Sequence, residues 1–113
     1  MNINMNLRPI RKGDTWAMTL KFYEDQAKTL PINVTAFTFK LMAKNGSGVT
    51  QFTWNNVDFA LQSNDNERRI NLTSATTESY TAGEYSYDLQ VTTTSGTYTY
   101  MLGYIQVQNQ ITS

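Results

Sequence analysis

Trp16-Ala17-Met18-Thr19-Leu20-Lys21-Phe22-Tyr23 alternates large apolar side chains with smaller or polar ones over eight residues. Successive side chains of extended backbone point to opposite faces, so strict alternation marks a strand with one buried face. Trp16, Met18, Leu20 and Phe22 form the face expected to go inside.

The same alternation recurs down the chain. Phe37, Phe39 and Leu41 alternate with Thr38, Lys40 and Met42, and Asn45-Gly46-Ser47-Gly48 then supplies residues that tolerate positive φ in a turn. Residues 49–54 read as a third strand, and residues 57–62 as a fourth with Val57, Phe59 and Leu61 on one side. A polar loop leads to a short strand at 69–72, and residues 73–82 read as one helical turn or a loop. Tyr85, Tyr87, Leu89 and Val91 share a face of the next strand, residues 93–96 turn the chain, and Tyr98, Tyr100 and Leu102 alternate after it. Ile105, Val107 and Ile111 resume in the opposite phase, which predicts a bulge or bend at Gly103. A turn is expected at 24–28, and Pro9 and Pro31 both fall outside the strands. About seven short strands with no long helix define an all-β sandwich. Trp16, Met18, Leu20, Phe22, Phe37, Phe39, Leu41, Leu72, Tyr85, Leu89, Val91, Tyr100 and Leu102 are its expected core.

Composition narrows the chemistry. The 113 residues are one domain's worth, with nine Lys/Arg, nine Asp/Glu, no His and no Cys. Disulfides, thiolate or imidazole metal sites and imidazole-dependent nucleophiles are thereby excluded. Neutral charge argues against nucleic acid as the main partner. No apolar run approaches the roughly 20 residues that span a bilayer, and residues 1–12 lack the apolar core of a signal peptide. No membrane partner is expected, and synthesis in a cytoplasm is. The charge is unevenly distributed: residues 1–44 carry seven basic and three acidic groups, residues 45–113 two basic and six acidic. That pattern fits either a mixed solvated surface or a polar molecule whose copies attract one another.

Several motifs in order carry a resemblance. Gly13-Asp14-Thr15 precedes the first strand, and Leu30-Pro31-Ile32-Asn33-Val34-Thr35-Ala36 precedes the second. Ser74-Ala75-Thr76-Thr77, Gly83-Glu84-Tyr85-Ser86-Tyr87-Asp88-Leu89, Gly96, Gly103, Val107 and Ile111-Thr112 follow. Over residues 8–112 this resembles the immunoglobulin-like structural modules of tailed-bacteriophage virion proteins, including the N-terminal domain of upper baseplate proteins. The resemblance implies an immunoglobulin-like β-sandwich and a non-enzymatic building block of a virion, made in the host bacterial cytoplasm. It implies other phage structural proteins and copies of the chain itself as partners. Family members often continue beyond the Ile-Thr pair into coiled-coil or receptor-binding regions. This chain ends at Ser113, so such an activity is expected to belong to another protein. The glycine that often precedes the Ile32 motif is missing here.

No catalytic, metal or cofactor residues are assigned, and no cofactor is expected. Asp65-Asn66-Glu67 lacks the spacing and glycine of a calcium loop and reads as a solvated hairpin tip. Asp14 reads as a turn former accepting backbone N–H bonds. Candidate partner-binding residues are Ile3, Met5, Leu7, Arg8, Arg11 and Trp54. Residues 1–12 read as an N-terminal arm preceding a domain at 13–113. One expectation is that Ile3, Met5 and Leu7 add a strand to a neighbour's sheet; another is a first strand on the chain's own sandwich; a third is a disordered tail. Arg8, Arg11 and Lys12 form a small basic cluster, and Trp54 is the exposed-aromatic candidate. Two function classes follow: an assembly module in the tail, baseplate or neck, with head decoration as the alternative, or a module that binds carbohydrate or a host surface.

Overall fold

The computed structural model describes residues 3–23 and 30–109. The turn expected at 24–28, the first two arm residues and Ile111-Thr112 lie outside the described residues. Among the described residues, nine strands form two sheets. The larger one contains β1 (Ile3–Asn4), β2 (Ile10–Arg11), β4 (Thr38–Lys44), β5 (Thr50–Trp54), β8 (Gly83–Thr93) and β9 (Gly96–Gln108). Its order is β1-β9-β8-β4-β5, with β2 also on β9. The smaller sheet is β3 (Trp16–Lys21), β7 (Glu67–Leu72) and β6 (Ala60–Leu61), in the order β3-β7-β6. The central strands thus reproduce the two-sheet Greek-key order of an immunoglobulin-like sandwich: β9-β8-β4 in one layer, β3-β7-β6 in the other. A helical turn, α1 (Ser74–Glu78), crosses between them and is capped by the Thr73 hydroxyl accepting from Thr76 N at 3.2 Å.

Alternation builds the core as expected for most positions. Phe39, Leu41 and Ala43 of β4 and Tyr85, Tyr87, Leu89 and Val91 of β8 are buried, facing Trp16, Leu20, Ile70 and Leu72 of the other sheet. Aromatic rings link the layers: Trp16 meets Trp54 at 5.4 Å between centroids, and Phe22 meets both Phe39 and Tyr100 at 5.0 Å. Tyr85 stands at the start of β8, just after α1, and its hydroxyl donates to the Thr81 carbonyl. This is the tyrosine corner of immunoglobulin-like sandwiches, formed here without a disulfide. Met18, Phe37 and Tyr100 are half-buried against the core rather than fully inside.

Three expectations are corrected. Residues 57–62 are not a regular strand, because Asn55 N donates to the Asp58 carboxylate and Asp58 N to the Asn55 carbonyl, each at 2.8 Å. That winds Asn56–Asp58 into a 3-10 turn, leaving Val57 89% exposed and only Phe59 inside. The phase slip of β9 falls at Tyr100, not Gly103: Leu89 pairs with Met101 but Gln90 with Thr99, so Tyr100 is the bulged residue. Met101 therefore takes the core position, and Leu102 lies on the outer face. Finally, the boundary at residue 12 gives way to a continuous domain. Ile3 pairs in parallel with Met101 and Ile10 with Val107 of the same chain, and Leu7 and Ile10 are buried in its core.

Gly103 is what lets the N-terminal segment lie there. A Cβ at this position would collide with the Met5 carbonyl oxygen. Gly13, at φ +84°, turns the chain from β2 into β3. Thr77 fastens that turn to α1: its hydroxyl accepts from Gly13 N at 3.0 Å and donates to the Asp14 carbonyl at 2.8 Å. Asp14 thus serves the turn through its backbone carbonyl, not through a carboxylate accepting N–H bonds.

Candidate interaction surfaces

The residues singled out from sequence do not converge on one site. The Ile3 backbone is spent on pairing with β9, and Met5 is 37% exposed while its N–H donates to the Leu102 carbonyl at 2.9 Å. Leu7 is buried in the chain's own core, which removes it from any partner surface. Arg8 lies across β3, its guanidinium 5.3 Å from the Trp16 ring centroid and donating to the Ala17 carbonyl. It covers part of the outer edge of β3. Arg11 is exposed at the end of β2. Trp54, expected at the surface, is 2% exposed: its Nε1 donates to the Tyr80 hydroxyl at 3.0 Å and its ring packs on Trp16 and Phe52. It closes the apolar alternation of β5 instead of standing in the Asn55-Asn56 turn.

Arg68 was not anticipated. It is 4% exposed, and its guanidinium donates to the carbonyls of Phe59 (2.9 Å), Val34 (2.8 Å), Thr35 (3.1 Å) and Phe37 (3.2 Å). It also sits 5.0 Å from the Phe39 ring centroid. Burial pushes its pKa down. The strand parity of β7 held the signal, since Arg68 shares the face of Ile70 and Leu72. In the 65–67 segment Asp65 is exposed in the turn between β6 and β7, as a hairpin tip would be, but Asn66 is buried and its backbone carbonyl accepts from Phe22 N at 2.9 Å.

Two surfaces remain. The first is a cleft of about 370 Å³ at the end of the sandwich where the β3–β4 connection meets the β8–β9 turn. Tyr23, Ile32, Phe37, Tyr98 and Tyr100 line it. The Tyr100 hydroxyl accepts from Tyr23 N at 3.2 Å and donates to Tyr23 O at 3.3 Å, while Tyr98 is exposed. Burial raises the Tyr100 pKa, partly offset by the hydrogen bond to Tyr23.

The second is the outer face of the larger sheet. Its middle row runs Asn4, Leu102, Asp88, Met42, Thr53 across β1, β9, β8, β4 and β5. A neighbouring row places Tyr104 beside Ser86 and Ser86 beside Lys44. A shallow depression of about 530 Å³ lies over Gly103, between Met5, Asn6, Ser86, Leu102 and Tyr104.

Among the described residues no three acidic side chains gather as a metal site would require. No family model matches the chain, and no curated protein matches it.

Proposed function

We propose that the chain is a non-enzymatic assembly module of a tailed-phage virion, working in the tail, baseplate or neck, with other structural proteins and copies of itself as partners. The observation that supports assembly is the outer face of the larger sheet. It spans five strand positions and carries Leu102 and Tyr104, the latter 55% exposed, beside two lysines and two carboxylates. Exposed apolar groups gathered within a polar frame mark protein interaction surfaces. The phage assignment rests on the sequence resemblance, whose Gly-x-Tyr-x-Tyr-Asp-Leu segment is the first half of β8. Head decoration is the alternative placement.

Quantitative mass spectrometry of purified particles tests this reading. About three, six or twelve copies per particle would fit a ring in the tail, baseplate or neck, and on the order of hundreds would fit decoration of the head lattice. Particles that lack the chain would overturn it.

The cleft beside Tyr98 and Tyr100 favours a second reading, recognition of a carbohydrate by aromatic and hydroxyl groups. Binding on a glycan array that is lost in Tyr98→Ala would support that reading.

A further inference from the structure

The charges on the outer face of the larger sheet are separated by strand. Lys40 and Lys44 flank Met42 on β4, and Glu84 and Asp88 project from the neighbouring β8. All lie opposite in phase to the buried residues of their strands, so they share the outer face. Among the described residues the one ion pair is Lys21 with Glu67 at 3.9 Å, so these four charges stand unpaired. The basic stripe belongs to the positive half of the sequence and the acidic stripe to the negative half. The fold brings them side by side in one sheet instead of at opposite ends.

We propose that this face binds a second copy of the chain, as an isologous dimer whose two-fold axis runs parallel to the strands between β4 and β8. This deepens the assembly reading above and rests on it only for its biological purpose. Rotation about that axis lays β4 of one copy over β8 of the other. Asp88 then sits between Lys40 and Lys44 of the second copy, Glu84 near its Lys44, and the same pairs form again by symmetry. The two Met42 side chains meet beside the axis, and Leu102 and Tyr104 cover the Thr53 and Thr50 positions of the opposite β5. An axis perpendicular to the strands would instead stack lysine on lysine and carboxylate on carboxylate, a like-charge juxtaposition that opposes docking.

Area sets the strength. Seven residues of β4 span about 24 Å and five strand positions another 24 Å, so each copy offers roughly 580 Å². Stable partners commit about 800 Å² each. A single dimer is therefore weak, and symmetric repetition in a larger assembly multiplies its effect.

Charge exchange tests the geometry. Sedimentation of the full chain at about 0.1–1 mM and low salt should show a monomer–dimer equilibrium that weakens as salt rises. Asp88→Lys alone, and Lys40→Glu with Lys44→Glu, should each weaken self-association at least about tenfold. An equimolar mixture of these two variants should dimerise again, because every cross-copy pair in it is opposite in sign except one, Glu84 of the Asp88→Lys chain against position 44 of the other. Glu78→Lys, on α1 away from the face, should leave association unchanged. A wild-type chain that stays monomeric, an Asp88→Lys variant that dimerises like wild type, or a mixture that stays monomeric overturns the proposal. Absence of the chain from phage particles would instead overturn the virion reading and leave the dimer standing.

Discussion

Arg68 and Arg69 are neighbours in sequence and opposites in role. Arg69 turns outward, donating to Thr19 Oγ1 at 2.9 Å, while Arg68 turns inward and ties four carbonyls from two connections to β7. A buried guanidinium surrounded by carbonyl dipoles is stable only because its fork satisfies several acceptors at once. Removing it leaves those acceptors unpaired in the interior, and each such loss costs about 1–3 kcal/mol. Arg68→Met is therefore expected to destabilise the fold by about 3–5 kcal/mol, with Arg68→Lys only partly restoring it. Urea unfolding monitored by tryptophan fluorescence checks this, and a loss below about 1 kcal/mol for Arg68→Met would show that the carbonyls find other partners. The Arg68 position was legible in principle, from its parity with Ile70 and Leu72. Its partners were not, since they come from residues up to 34 positions away.

At the scale of elements, the N-terminal segment is held by a narrow set of contacts. β1 and β2 each pair over two residues with β9, Leu7 and Ile10 fill the core between the layers, and the Tyr87 hydroxyl donates to the Met5 carbonyl. The whole arrangement needs Gly103, where any side chain meets backbone rather than a movable side-chain tip. Gly103→Ala is expected to push residues 4–7 off β9 and to cost about 1–3 kcal/mol. Hydrogen exchange should show Met5 and Leu7 amides losing protection while the β4–β8 ladder keeps its own, and retained protection at Met5 and Leu7 would contradict the close approach. Period-two patterning predicted β3, β4, β5, β8 and most of β9 because each buries one face of an extended run. It misread residues 57–62, where a local Asn55–Asp58 exchange of hydrogen bonds competes with the ladder. It could not say which sheet edge residues 3–11 would join, since alternation reports a buried face and not a hydrogen-bonding neighbour. Among the candidate site residues, Trp54 was misplaced for a related reason: the two asparagines after it suggested a surface turn, but the turn begins one residue beyond the indole.

Across the whole molecule, tyrosine hydroxyls brace the sandwich at several points. Tyr85 ties β8 to Thr81, Tyr87 ties it to the N-terminal segment, Tyr100 clasps Tyr23, and Tyr80 accepts from Trp54. Burial raises the pKa of all four, and for Tyr87 to about 12, against an ordinary value of 10.0. A phenol whose folded pKa is raised keeps its proton in the native state after the unfolded chain has lost it. Between pH 10 and about 12 the unfolded state therefore binds fewer protons, and stability falls as pH rises. The stability of the neutral hydroxyl is fully present below pH 10 and is lost progressively above it. Tyr87 contributes a slope of up to about 1.4 kcal/mol per pH unit in that window, and the other three act in the same direction. Urea midpoints measured at intervals from pH 8 to pH 11.5 should be level at first and then decline. Tyr87→Phe should start lower, having lost its bond to Met5, yet decline less steeply above pH 10. A Tyr87→Phe variant with the same alkaline slope as wild type would mean that the Tyr87 hydroxyl ionises as readily in the fold as in the unfolded chain.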